Sequence, residues 1–176
     1  MMQPGDKSWP LLTVMLLSGC ATVHTEVVIP APPERVWSVL TNAQGYADWN
    51  PVMVSARGSH VEGTMVTYVV REPDGSENTI EARVERAAPE KELNQTGGVW
   101  GILTFDHQWL LEPVPGGTRV IQHEEYRGVG VWFWDESWIG PAYEGANEAL
   151  RQHVLDMLDD GASGHSVSPS PPSKTK

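Results

Sequence analysis

Between Ile102 and Arg127 the chain alternates apolar and polar residues twice, once on each side of the break Pro113-Val114-Pro115-Gly116-Gly117. A period of two places successive side chains on opposite faces of a strand, so the pattern predicts a hairpin of strands 102–112 and 118–127. With a four-residue loop, Val114 to Gly117, Pro113 faces Thr118. Counting outward then pairs Leu111 with Val120, Trp109 with Gln122, His107 with Glu124, and Phe105 with Tyr126. All eight side chains share one face, apolar and aromatic except for Gln122 and a His–Glu pair at its centre. The other face carries Asp106, Gln108, Glu112, Arg119, His123, Glu125 and Arg127, which suit solvent. A slip of one residue would set His107 against His123 and reverse the second strand's pattern. The alternation favours the first register, although Pro-Gly is not the usual two-residue hairpin turn.

The rest of the chain reads similarly. "HTEVVIP" (24–30) is a β-branched strand, and "APPERVWSVLTN" (31–42) a helix entered through paired prolines with Val36, Trp37, Val39 and Leu40 as its apolar side. "AQGYADWNPV" predicts a second short helix stopped by Pro51. Strands are expected over 52–60, 64–72, 78–86 and 92–97, with Asp74-Gly75 as a turn between the second and third. From Ala142 to Asp159, Ala142, Ala146, Ala149, Leu150, Val154, Met157 and Leu158 recur at helical spacing, with Pro141 ahead. Residues 161–176 are rich in Ser, Pro and Gly and have the composition of a disordered tail. The order is therefore strand, two short helices, six strands and one long helix. Such an order belongs to the α+β class: an antiparallel sheet of about seven strands curved around the last helix.

Composition narrows the function. A chain of 176 residues has one domain as its natural expectation, and a net charge of −11 opposes binding to nucleic-acid phosphates. The single cysteine, Cys20, cannot form an internal disulfide and follows a short apolar run, Leu11 to Leu17. That run is too short to span a bilayer and ends in small residues, as export signals do. Leu17-Ser18-Gly19-Cys20 resembles the lipobox of bacterial lipoproteins. The resemblance implies cleavage before Cys20, acyl chains on that residue, and a protein held at the periplasmic face or the cell surface. Residues 1–19 are then the signal peptide, 20–23 a short tether, and 24–160 the folded domain. The tether reaches roughly 10–15 Å at about 3.3 Å per extended residue.

Two segments carry a second resemblance. "IPAPPERVWSVLTNAQGYADWNPV" resembles the opening of the START-like, helix-grip (SRPBCC) superfamily, near its polyketide-cyclase and lipid-transport branch. "GGTRVIQHEEYRG" resembles that group's penultimate-strand motif. The likeness runs from about His24 to Asp159 and implies a ligand cavity between sheet and last helix. Family members bind lipids, sterols, polyketides or flavonoids, and a minority catalyse reactions in that cavity. The expected partners are thus a small hydrophobic ligand and, through Cys20, a membrane. No cofactor is implied.

The candidate chemistry centres on His107 and Glu124. A carboxylate beside an imidazole in a poorly hydrated cavity is stable mainly as a hydrogen-bonded or charged pair. Three roles stay open: a structural pair closing the cavity end, a polar contact orienting a ligand hydroxyl or carbonyl, and general acid–base catalysis of cyclase, dehydratase or isomerase type. Phe105, Trp109, Leu111, Gln122 and Tyr126 accompany the pair as candidate ligand contacts. Trp49, expected mainly in the core, borders the same region in the family. Trp132, Phe133, Trp134 and Trp138 are too many aromatics for an ordinary solvent loop. They could plug the core, line the pocket mouth or enter the lipid interface. The six histidines show no metal-binding spacing. A protein module with a filled interior is the remaining alternative.

Overall fold

A computed structural model describes residues 19–163, with side chains through Asp160. Seven strands form one antiparallel sheet in the order β1-β7-β6-β5-β4-β3-β2. They are β1 (Gly19–Ile29), β2 (Met53–Gly58), β3 (Met65–Arg71), β4 (Glu77–Ala88), β5 (Glu92–Val99), β6 (Leu103–Val114) and β7 (Gly117–Gly128). The helices are α1 (Pro33–Leu40), α2 (Tyr46–Trp49) and the long α3 (Ile139–Ser163). The sheet is a meander from β2 to β7, closed by β1 returning to the edge of β7. Bulges between Met53 and Ser55 and between Val84 and Arg86 shift the ladder, and such insertions bend the strands that carry them. The α+β helix-grip architecture expected from the sequence is the one observed.

The β6–β7 register follows the predicted pairing residue for residue, from Phe105↔Tyr126 through His107↔Glu124 to Pro113↔Thr118. The turn is tighter than the expected four residues. Val114 pairs with Gly117, leaving only Pro115 and Gly116 between the strands. Gly116 has φ +87°, and the fixed φ of proline followed by a positive-φ glycine is the combination a type II turn takes. Both loops have an even number of residues, so the parity, and with it every side chain's face, is the same.

Other boundaries move for local reasons. α3 begins at Ile139 rather than Ala142, because Pro141 in the first turn lacks only an N–H that would be unpaired there anyway. β1 begins at Gly19, five residues before the expected start, and Cys20 to Val23 pair with Arg127 to Glu124 of β7. Those four residues are part of the sheet rather than a tether. The segment before Gly19 and residues 164–176 of the expected tail lie outside the described residues.

The interior divides along α3. Toward its C-terminal half, Leu150 and Val154 join Ile29, Val36, Leu40, Leu93, Trp109, Leu111 and Val120 in one buried cluster. Tyr46 and Trp49 complete it from α2, the Tyr46 hydroxyl donating to the Leu40 carbonyl at 3.0 Å. Asn147 ties α3 to the sheet edge by donating to Thr25 Oγ1 at 2.9 Å. A second cluster surrounds the helix start: Val52, Tyr126, Ile139, Tyr143 and Ala146, with Phe105, Trp134 and Trp138 against it. The cavity borders both clusters: Met53, Tyr68 and Ala82 of the first line it, as do Val52, Tyr126, Ile139 and Tyr143 of the second. Leu150→Ala removes a side chain with no exposed surface and is expected to lower unfolding free energy by about 2–5 kcal/mol in a urea titration. Met157→Ala, at a half-exposed position of the same helix, should stay within about 0.5 kcal/mol of the parent.

Candidate functional site

A cavity of about 520 Å³ lies between the sheet and the first turn of α3. Val52, Met53, Val70, Ile80, Ala82, Leu103, Phe105, Trp134, Trp138 and Ile139 form its apolar wall. Gly97 of β5 stands opposite Phe105, and a Cβ there would fall 2.5 Å from the Phe105 ring and 2.4 Å from the Glu81 carbonyl. Glycine is therefore what lets this aromatic ring lie flat on the sheet.

The polar groups form a row across three strands. Gln95 pairs with His107, and His107 with Glu124, so the three side chains stand side by side on the inner face of β5, β6 and β7. All three line the cavity, at 1, 2 and 4 % exposure. Each end of the row is braced. Gln95 Nε2 donates to the Tyr68 hydroxyl at 2.8 Å. That hydroxyl donates to His60 Nε2 at 2.6 Å, since His60 Nδ1 is the donor to the Thr41 carbonyl at 3.0 Å. Burial lowers the pKa of His60, which suits its role as a neutral acceptor. At the other end Tyr126 and Tyr143 both donate to Oε2 of Glu124. Oε1 keeps its lone pairs for something else.

The expected His107–Glu124 contact does not form. Among the described residues the two side chains make neither a hydrogen bond nor an ion pair with each other. His107 Nε2 instead accepts from Gln122 Nε2 at 2.9 Å. The amide nitrogen can only donate, so the neutral imidazole carries its proton on Nδ1. Burial, with a smaller contribution from the charge of His123, pushes the His107 pKa down to about 3. The ring stays neutral. Burial also raises Glu124 to about 7, opposed by the two tyrosine hydroxyls and assisted by Asp106. Both shifts share one origin: each group loses water and gains no opposite charge in return.

The predicted contacts sort into two sets. Phe105, His107, Glu124, Tyr126, Trp134 and Trp138 line the cavity as expected, and Trp134 meets Tyr126 edge-on at 4.8 Å. Trp109, Leu111 and Trp49 do not: they are buried in the packed cluster, beyond the point where the hollow ends. Gln122 lies behind His107 and orients it rather than facing the cavity. Trp132 points outward at 62 % exposure, so the aromatic run splits between pocket and surface. The pocket meets α3 only at Ile139 and Tyr143, not along its length.

Sequence reasoning missed Tyr143, Tyr68 and Gln95. Tyr143 continues the stripe Ala146, Leu150, Val154 at helical spacing and would have been found had tyrosine been counted with the apolar residues. Tyr68 shares a strand face with Val66 and Val70. Gln95 gives no such signal, because its place beside His107 depends on a pairing between strands. Among the described residues no group of three or more His, Cys, Asp or Glu side chains gathers as metal ligands would.

A curved antiparallel sheet gripping a C-terminal helix, with a hollow between them, is the helix-grip architecture of the START-like superfamily. Within it, the chain belongs to the polyketide cyclase / dehydrase and lipid transport family, whose pattern matches residues 21–155. Solved structures share the fold. A protein from Rhodobacter sphaeroides superposes with a TM-score of 0.65 at 19% identity, covering 80% of this chain and 99% of that one. One from Mesorhizobium loti gives 0.63 at 21% identity, covering 79% and 99%. Ara h 8.0201 gives 0.61 at 18% identity, covering 78% and 99%. Identities this low speak for the fold alone. A search of curated proteins finds no match.

The two shifts act on stability in opposite directions. Folded Glu124 holds its proton to about pH 7, against an ordinary 4.5, so its contribution is complete below pH 4.5 and is lost as pH rises through 7. Folded His107 gives up its proton until about pH 3, against an ordinary 6.5, so its contribution is complete above 6.5 and is lost as pH falls toward 3. Glu124→Gln keeps shape and neutrality but does not titrate. Measured by urea unfolding, its stability relative to the parent should rise by about 2–3 kcal/mol between pH 4 and pH 8. An unchanged difference would mean that Glu124 is ionised in the fold.

Proposed function

We propose that this protein binds a small hydrophobic ligand in the cavity beneath the start of α3. The observation that carries the reading is the hollow itself: about 520 Å³, walled largely by apolar side chains, crossed by the row of Gln95, His107 and Glu124, and edged by Glu72, Asn78, Thr79 and Glu81 of the β3–β4 hairpin. Ligand pockets of roughly 300–1,000 Å³ have this character, apolar walls with a few placed polar groups that set orientation. Contact with Phe105, Trp134 and Trp138 supplies affinity at about 25 cal/mol per Å² of apolar surface removed from water. Gln95, Tyr68 and the Nδ1–H of His107 offer hydrogen bonds to a ligand hydroxyl or carbonyl. Glu124 offers an acid proton below about pH 7 and an acceptor above it. A lipid, polyketide or other aromatic or isoprenoid molecule has this mixture of groups. The size of the hollow argues against a module whose interior is simply filled.

The same proposal places the protein at a membrane, through acyl chains on Cys20 after removal of the preceding signal segment. Cys20 is exposed at the sheet edge, where a modifying enzyme can reach it. Because β1 starts at Gly19, a protein so modified would stand against the bilayer with almost no intervening chain.

A second reading, an enzyme of cyclase, dehydratase or isomerase type, is favoured by one feature. A buried carboxyl titrating near neutrality, with two tyrosine hydroxyls on one oxygen, has the poise that general acid–base catalysis uses. In that reading Glu124 exchanges the proton, and His107, held neutral, only polarises.

Native mass spectrometry of protein purified from its own host tests the main reading: a co-purifying molecule of a few hundred daltons is expected. An empty cavity that also fails to take up a hydrophobic fluorescent probe would end it. Glu124→Gln and Tyr143→Phe separate the two readings. A binder should lose affinity roughly 5- to 30-fold, the worth of one or two hydrogen bonds. An enzyme should lose turnover by about 10²–10⁴-fold.

A further inference from the structure

The cavity lies toward one end of the sheet, and that end is unusually greasy on its outside. Trp100, in the β5–β6 turn, is 93% exposed, and Phe133, in the 3-10 turn after β7, is 91% exposed. Ile102 and Trp132 beside them are 57% and 62% exposed. The two loops form one surface, because the Gly130 amide donates to the Ile102 carbonyl at 2.7 Å. The cavity rises toward the same surface: Gly98 and Val99 at the end of β5, Leu103 at the start of β6 and Trp134 just after the 3-10 turn line it, with Glu72 and Asn78 of the β3–β4 hairpin beside them. The start of β1 is there too. A Cβ on Gly19 would fall 2.8 Å from the Val131 side chain and 3.0 Å from the Trp132 indole nitrogen, so Gly19 is pressed against this patch. The apolar run Leu11 to Leu17 ends two residues before Gly19.

Large aromatics at more than nine-tenths exposure, on two loops that meet, are not what a water-facing surface selects. Tryptophan and its neighbours are favoured at the boundary of headgroups and acyl chains. The net charge of −11 sets the charge of that boundary: a zwitterionic surface does not repel the protein as an anionic one does.

We propose that the end of the domain built from Trp100, Ile102, Trp132 and Phe133 docks into the interface of a lipid bilayer, with the cavity mouth opening onto the membrane. The contact comes from these side chains and does not need an acyl group. An acyl chain on Cys20 would enter the same membrane at the same place and hold the patch against it. A hydrophobic ligand would then pass between bilayer and cavity without crossing water. That last step rests on the ligand-binding reading; the docking itself does not.

The test uses the full chain carrying Cys20→Ser, which removes its one cysteine, with vesicles of phosphatidylcholine. In co-sedimentation, Trp100→Ser and Phe133→Ser should each weaken vesicle binding about tenfold, and together about a hundredfold, the worth of one and two apolar side chains. Uptake of a hydrophobic fluorescent probe in the absence of lipid should stay as in the parent, because neither residue lines the cavity. A fluorophore attached through Phe133→Cys should become shielded from aqueous iodide on adding vesicles, whereas one attached through Lys91→Cys, at the opposite end of the sheet, should not. Unchanged vesicle affinity in the double variant overturns the proposal. So does a position-133 thiol already protected from a water-soluble maleimide without lipid, since the patch is then covered by the chain's own N-terminal run or by a second copy. Failure of probe uptake with vesicle binding intact would strike the ligand reading alone.

Discussion

The pairing of β6 with β7 is the constraint on which the remainder of the molecule rests. Twelve residues on each side zip from a two-residue turn, and the side-chain period of two leaves no intermediate choice of face. With Val114 opposite Gly117, the inner face receives Trp109, Leu111 and Val120, which build the packed cluster, and His107, Glu124 and Tyr126, which build the site. A slip of one residue along β7 would send Val120, Gln122, Glu124 and Tyr126 to water and bring Arg119, His123 and Glu125 inward. Such a change would bury several charges without partners, each costing several kcal/mol. Stability and site geometry therefore depend on the same parity.

The inner space is filled at one end and open at the other for reasons visible in the side chains. Where Leu150 and Val154 of α3 descend, they join Trp109, Leu111 and Leu93, bulky groups buried in one cluster. Where Ile139 and Tyr143 descend, the sheet offers Ala82 and Gly97 and rings held at their edges. Tyr126 and Tyr143 are pinned through Glu124, Tyr68 through His60 and Gln95. Pinned rings cannot swing in to close the hollow. The hydrogen bonds that keep the polar groups satisfied thus also keep the cavity open, and the carboxyl at their centre holds its proton to about pH 7 because burial strips its water and no cation accompanies it inward.

The family name joins cyclases, dehydrases and lipid transport, and the site shows why one architecture serves such different ends. Apolar walls are indifferent to what the ligand undergoes. The chemistry is decided by whether a titratable group faces a reactive atom, which depends on the ligand's pose rather than on the fold.

Much of this was legible in the chain before folding. The two-residue alternation of β6 and β7, the helical spacing of α3 and the paired prolines of α1 specified elements, order, fold class and the inward parity of His107 and Glu124. Those features are local and repeat along the chain, and burial of apolar surface enforces them everywhere at once. Three things were decided only in three dimensions. His107 and Glu124 stand side by side yet bond to Gln122 and to Tyr126 and Tyr143, because a hydrogen bond depends on side-chain reach and angle, which register does not set. Gln95 joined the row through strand pairing across a glycine-rich turn whose geometry no periodicity predicts. The aromatic run at 132–138 was divided, Trp134 and Trp138 inward and Trp132 and Phe133 outward, by a 3-10 turn with neither a strand's nor an α-helix's period. Hydrophobic pattern determines which face turns inward; only the packed structure determines where the interior stops being full.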